Sequence, residues 1–219
     1  MPSASADFPA FAALLAILGT LLVGAISPGP SFVMVSRISV TRSRLHGLAA
    51  ACGMGLGGLL FSTIALAGLT TLLLQVEWLY LTLKVAGGTY LIYLGIRIWR
   101  GASAPFAADN ADTLLATSVR RSFWHAFAVQ IANPKTAIVY ASVFAALLPR
   151  DVPFWMLISL PPLIFCIEAG WYAVVAFVFS ARKPQQLYLR GKRFIDRTAG
   201  LLLGLLGVRL TAEAVQVSG

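Results

Sequence analysis

The chain has 219 residues; 58% are apolar, 11% carry charge, and the formal net charge is +9. A soluble domain is about 25% charged, so this composition excludes a disordered chain, a collagen and a small disulfide-stapled secreted domain. It also argues against a soluble enzyme, because one ordinary core could not hide so much apolar side chain. A charge this positive on a soluble protein would suggest nucleic acid. Here the basic residues sit between apolar stretches and form no folded basic module with interleaved aromatics, so no nucleic-acid partner is expected.

Crossing a hydrocarbon layer about 30 Å thick takes about 20 apolar residues as helix. Six stretches qualify: Pro9–Ser36, Gly47–Leu74, Trp78–Ile96, Ser122–Leu148, Phe154–Ser180 and Thr198–Val217. The expected fold is all-α, a polytopic membrane protein of six transmembrane helices forming one membrane domain over residues 1–219. The first stretch has no basic leader and runs on past a proline break, so it reads as an uncleaved span rather than a signal peptide.

In chain order, span 1 contains Pro28-Gly29-Pro30 deep in its apolar run. Span 2 carries Cys52 and the small residues Ala49, Gly53 and Gly57, a spacing that lets helices approach closely. That stripe suits packing within the bundle and also admits a homodimer contact. Span 3 carries Lys84 about two turns from its start, placed to snorkel to the near interface or to serve as a gate or anchor on a substrate path. Span 4 is broken by Asn133-Pro134-Lys135. Span 5 holds Cys166 and Glu168, the only acid near the middle of a span. Cys52 and Cys166 are expected to be buried packing residues. Asp109, Asp112 and Asp196 fall between spans and read as ordinary loop solvation. No metal-ligand cluster, phosphate loop or nucleophile triad is present, so no cofactor, metal or enzymatic activity is expected.

The basic residues orient the chain. Arg37, Arg42 and Arg44 follow span 1. Arg97, Arg100, Arg120 and Arg121 flank the loop after span 3, and Arg182, Lys183, Arg190, Lys192, Arg193 and Arg197 follow span 5. Lys and Arg are retained on the cytoplasmic side. Both termini are therefore expected outside, which in a bacterium is the periplasm.

The two halves, 1–108 and 109–219, read as a repeat. Gly88 to Ile98 of span 3 aligns with Gly200 to Leu210 of span 6, with glycine and arginine recurring in register, and spans 1 and 4 carry the proline breaks. Three spans per half force opposite insertion, the inverted 3+3 plan of many secondary transporters, whose sites sit at broken helices.

Proline within a helix removes a backbone hydrogen bond and crowds the preceding turn. Unpaired backbone survives at membrane depth only beside protein or a water-filled cavity. A half-helix starting there turns its positive end inward, toward an anion such as a carboxylate. Pro28, Gly29, Pro30, Asn133, Pro134 and Lys135 are thus candidate substrate-binding residues. Lys135 near mid-span costs at least about 2.5–3.5 kcal/mol to insert. It can pair with Glu168 as a purely structural bridge, or serve a substrate carboxylate while Glu168 serves a substrate ammonium or a transported proton.

Pro28-Gly29-Pro30, the run from Lys84 through Gly95, Asn133-Pro134-Lys135 and the ending from Arg197 to Val208 together resemble the LysE/RhtB family of amino-acid exporters. The resemblance covers nearly the full length. It departs from the common pattern at Ala126 and at Pro149-Arg150. It implies a bacterial inner-membrane secondary transporter that exports amino acids or close derivatives, by proton antiport, with the two breaks as the binding region. The rival expectations are a transmembrane thiol–disulfide electron carrier using Cys52 and Cys166, a metal-cation exporter, and a membrane scaffold.

Overall fold

A computed structural model describes residues 4–27, 30–73, 77–102, 118–178 and 182–217, and these form eight helices. Helix α1 (Ala4–Ile26) stops at Ser27, and α2 (Pro30–Thr41) begins on a proline. Proline suits the first helical position, where its missing N–H would be unpaired anyway. Helix α3 (Arg44–Leu73) starts behind Ser43, whose Oγ accepts from the His46 backbone N–H. Helix α4 is Glu77–Gly101. Helix α5 (Val119–Ala132) starts behind Ser118, whose Oγ accepts from the Arg121 N–H at 3.2 Å. Both caps satisfy an otherwise orphaned donor of the first turn.

Asn133 alone separates α5 from α6 (Pro134–Leu147). Its extended backbone (φ −79°, ψ 106°) ends one helix, and Pro134 opens the next. Spans 1 and 4 are therefore each two helices, as the prolines dictate. Helix α7 (Phe154–Val178) carries Pro161 and Pro162 without a break.

The sixth element departs from expectation. Helix α8 (Arg182–Val217) starts well before Thr198, so the basic segment after span 5 is helix from Arg182 onward. Arg, Lys, Gln and Leu are all good helix formers, and nothing after the first turn interrupts them.

Three helices are long and apolar enough to cross a membrane among the described residues, over Phe8–Ile26, Arg44–Gly68 and Phe154–Val178; Thr136–Leu147 is a shorter apolar helix. Large apolar side chains stand outward along the bundle, among them Phe8, Ile64, Phe154, Ile158 and Leu205. A surface of that kind fits lipid rather than water.

Helices α4 and α8 lie against each other along much of their length, as do α3 and α7, and α3 also packs on α5. Glycine permits the first contact. A Cβ on Gly95 would stand 2.5 Å from the Gly200 carbonyl oxygen, and one on Gly207 would stand 2.5 Å from that of Gly88. The stripe on α3 is likewise used within the chain, Gly53 facing the α5 backbone at Phe123 and Gly57 the stem of Gln130.

The buried apolar residues form two clusters. One joins α1, α4, α6, α8, the first half of α7 and Leu66 of α3. The other joins α2, α5, the first half of α3 and the last part of α7. Helices α3 and α7 serve both, at opposite ends. Cys52 and Cys166 belong to neither: both are exposed free thiols, which corrects their expected burial. Among acyl chains an outward thiol costs nothing, so no force draws it inward.

Candidate functional site

Between the two clusters lies a cavity with about 660 Å³ of space, its open side included. Three polar stripes face it. Thr20, Gly24, Ser27 and Ser31 recur at helical spacing across the first break. Gln130, Asn133, Thr136 and Tyr140 do the same across the second, and Glu168 and Tyr172 stand one turn apart on α7. Positions three and four apart share a helix face, so each stripe turns one polar edge of an apolar helix toward the others. Leu21, Phe32, Leu94, Val139 and Leu203 supply the apolar wall.

Glu168 is the centre of the polar set and is 4% exposed. Tyr140 Oη donates to its Oε1 at 2.6 Å, and Gln130 Nε2 donates to its Oε2 at 2.8 Å. A buried carboxyl requires such donors, because it has given up water. Helix α3 comes close enough only because Gly58 lacks a side chain: a Cβ there would stand 2.7 Å from Tyr140 Oη and 3.0 Å from the Glu168 carboxyl. Gln130, 3% exposed, has its own Oε1 buried with no partner among the described residues.

Both broken spans present a helix start to this cavity. Ser31 and Phe32 belong to the first turn of α2, and Asn133 and Thr136 flank the first turn of α6. The first N–H groups of a helix lack carbonyl partners, and its dipole is positive there. One side of the cavity therefore suits an anion, while Glu168 suits a cation or a proton.

A second polar cluster touches the cavity through Ser27. Its Oγ donates to Asp196 Oδ1 at 2.7 Å. Lys192 Nζ stands 2.6 Å from Asp196 Oδ2 and donates to the Gly101 carbonyl at 3.2 Å. Asp196 is 4% exposed, so it is a buried tie between α8 and the end of α1 rather than a solvated loop acid. Because α8 begins at Arg182, Asp196 sits inside a helix, on the face turned to α1. Beside it the Arg197 guanidinium lies 5.6 Å above the Trp99 ring.

Of the residues expected at the site, Asn133 and Glu168 line the cavity. Pro30 and Pro134 open α2 and α6, Lys135 stands in the first turn of α6, and Lys84 lies on α4. The side chains of these four, Pro28 and Gly29 altogether, and with them the Lys135–Glu168 pairing, lie outside the described residues. Sequence reasoning missed Gln130, Tyr140, Tyr172, Ser27 and Asp196. The signal that could have found Gln130 and Tyr140 is the polar stripe through Asn133 at three- and four-residue spacing. Among the described residues no three His, Cys, Asp or Glu gather as a metal site, and neither cysteine lines the cavity.

The family described as LysE type translocator matches residues 22–214. A threonine efflux protein of Escherichia coli (strain K12) is 32% identical over 191 residues, covering 86% of this chain and 92% of that protein. The threonine efflux protein of Salmonella typhimurium is similar to the same extent. A leucine efflux protein of Salmonella choleraesuis is 28% identical over 198 residues, 89% of this chain and 92% of that protein. No solved structure matches the chain. Matched across both broken helices, Glu168 and the α4–α8 pair, the chain belongs to the LysE-type translocators.

Proposed function

We propose that this protein exports a small neutral amino acid from the bacterial cytoplasm across the inner membrane, in exchange for protons. One observation carries the reading: the starts of two half-helices and a buried carboxyl open on the same cavity. The substrate carboxylate lies at the starts of α2 and α6, within reach of the Pro28–Pro30 and Asn133–Lys135 segments, with Lys135 adding positive charge. Its ammonium, or the proton that replaces it, resides on Glu168. Its side chain lies against Leu21, Phe32, Leu94, Val139 and Leu203, a wall that favours aliphatic side chains over charged ones. Threonine and leucine, named in the relatives, both fit that chemistry.

Six spans arranged as an inverted 3+3 repeat accommodate alternating access. Part of the packing supports that plan. Helices α3 and α7 would be equivalents, as would α4 and α8, and each pair is in contact; α2 meets α7 as α3 meets α6. The distribution of basic residues supports a periplasmic position for both termini. Lys84 then lies on the periplasmic half of α4 as a gate or anchor. Rocking of the two apolar clusters about the polar seam exposes the cavity to one side and then the other.

The test is flux by purified protein in liposomes under an imposed pH gradient, with threonine, leucine and a panel of other amino acids. Gradient-dependent movement of neutral amino acids is expected. Absence of flux across the whole panel would sink the proposal.

A further inference from the structure

We infer that Gln130 is the positioning residue of the coupling proton: its amide turns over when Glu168 gains a proton, and so serves both charge states of that carboxyl. The inference rests on the proposed reading of Glu168 as proton carrier. Gln130 Nε2 faces Glu168 Oε2 at 2.8 Å, and Tyr140 Oη faces the other oxygen at 2.6 Å. Both carboxyl oxygens thus accept, the pattern of the ionised form. Gln130 Oε1, on the same amide, is buried with no partner among the described residues. A buried carbonyl without a donor is costly to maintain, and the carboxyl that this amide already faces is a group that acquires a donor on protonation.

A proton joining Glu168 Oε2 takes the carboxyl from −1 to neutral and puts an O–H against the N–H of Gln130, donor facing donor. A half-turn about the last side-chain bond exchanges Nε2 and Oε1, two ends of nearly equal size. Oε1 then accepts the new O–H, and Nε2 takes the unpaired place. One end of the amide is unpaired in either state, so neither state is locked. A cation at this position would hold the carboxyl ionised, and an alkyl group would serve neither form. Gly57 packs against the stem of Gln130, while among the described residues the amide end has no bond besides the one to Glu168. The titratable groups facing Glu168 among the described residues are Tyr140 from α6 and Tyr172 one turn along α7; α3 faces it with Gly58.

The experiment compares two modes in proteoliposomes, with labelled threonine and leucine as probes. One is net movement driven by a pH gradient. The other is exchange of labelled for unlabelled amino acid at equal pH, which needs no change of protonation. Gln130→Met keeps the volume and removes both hydrogen-bonding ends. It is expected to lower pH-driven net flux about tenfold further than exchange, the scale of one unpaired buried partner. Equal loss in both modes overturns the inference and leaves proton coupling standing. Wild-type protein that exchanges but shows no pH-driven flux overturns the proton reading and this inference with it. Infrared difference spectra of the wild type, with isotope-labelled glutamine, cover a variant that does not fold. A protonated-carboxyl band accompanied by a shifted glutamine amide band is expected, and a carboxyl band without that shift overturns the inference.

Discussion

Ser27 and Asp196 stand 169 positions apart in the chain and are joined by one buried hydrogen bond of 2.7 Å. The bond ties the end of α1, at the first helix break, to the side of α8. Asp196 also holds Lys192. Removing one partner of a fully buried ion pair costs about 3–5 kcal/mol; Lys192 is partly buried, with 13% of its side chain exposed, so the cost here lies toward the lower end. Asp196→Ala is therefore expected to lower the melting temperature in detergent sharply. Ser27→Ala, which removes a single bond to a charged group, costs about 1.5–3 kcal/mol. Equal melting of Asp196→Ala and wild type would show that the tie does not form in the folded protein.

Glu168 and Tyr140 are expected to act together. Tyr140→Phe removes a donor to a buried carboxyl, worth about 1.5–3 kcal/mol, and should cut amino-acid flux about tenfold or more. Glu168→Ala should abolish gradient-driven flux. In the double variant the two losses of melting temperature should fall well short of adding, since the residues share one bond. Flux assays on the two single variants, and melting temperatures of these and the double variant in detergent, measure the two effects.

Gly58 and Gly68 lie on the same helix and should respond in opposite ways to the same change. A Cβ on Gly58 meets Tyr140 and Glu168, whereas one on Gly68 meets nothing within 4 Å. Gly58→Ala should push the pair apart, at about 1–3 kcal/mol for overpacking, and reduce transport. Gly68→Ala should raise stability by about 0.5–1 kcal/mol through helix propensity. Melting temperature and flux for the two proteins, measured side by side, decide it.

Gly95 and Gly204 form a similar contrast between α4 and α8. Alanine at Gly95 would drive its Cβ into the backbone of Gly200 and Gly204, which cannot yield as a side chain could. Alanine at Gly204 has open space. Gly95→Ala should lose folded protein from the membrane, and Gly204→Ala should accumulate normally, as judged by fluorescence-detected gel filtration.

Cys52 and Cys166 are exposed and away from the cavity. Replacing both by serine should leave transport within about twofold, as is usual for surface changes remote from any site. In the unmodified protein the thiols, facing acyl chains, should react slowly with a maleimide, whose target is the thiolate, and quickly once unfolding brings them into water. Loss of flux in the double serine variant would instead revive an electron-carrier role.

The breaks were legible in the sequence because proline acts on its own backbone, whatever surrounds it. Glu168 was legible because a lone acid in an apolar span has few explanations. Gln130 and Tyr140 were not singled out. An amide and a phenol are common at helix surfaces, and only their register with Asn133 marks them. Asp196 was misread for a different reason. It stands just before the last apolar stretch, and hydropathy places the boundary where charge begins rather than where helix begins. The Lys192–Asp196 spacing of four was the available clue that helix had already started. The outward thiols were misplaced because burial rules learned from water do not apply where the solvent is itself apolar.

The two apolar clusters set an order of assembly. The cluster built from α2, α3, α5 and α7 draws its buried residues from no further along the chain than Ala176, so its parts are all in place before α8 is synthesised. The other needs Leu203 and Leu210 of α8. Until the 36 residues of α8 arrive, α1 has no Asp196 to hold Ser27, and α4 has no glycine-lined groove to enter. A chain cut short after α7 would keep one consolidated half beside an unclosed one. Helix α8, which supplies Leu203 to the cavity lining, is thus the element that completes the cavity wall, and a product truncated after α7 lacks it.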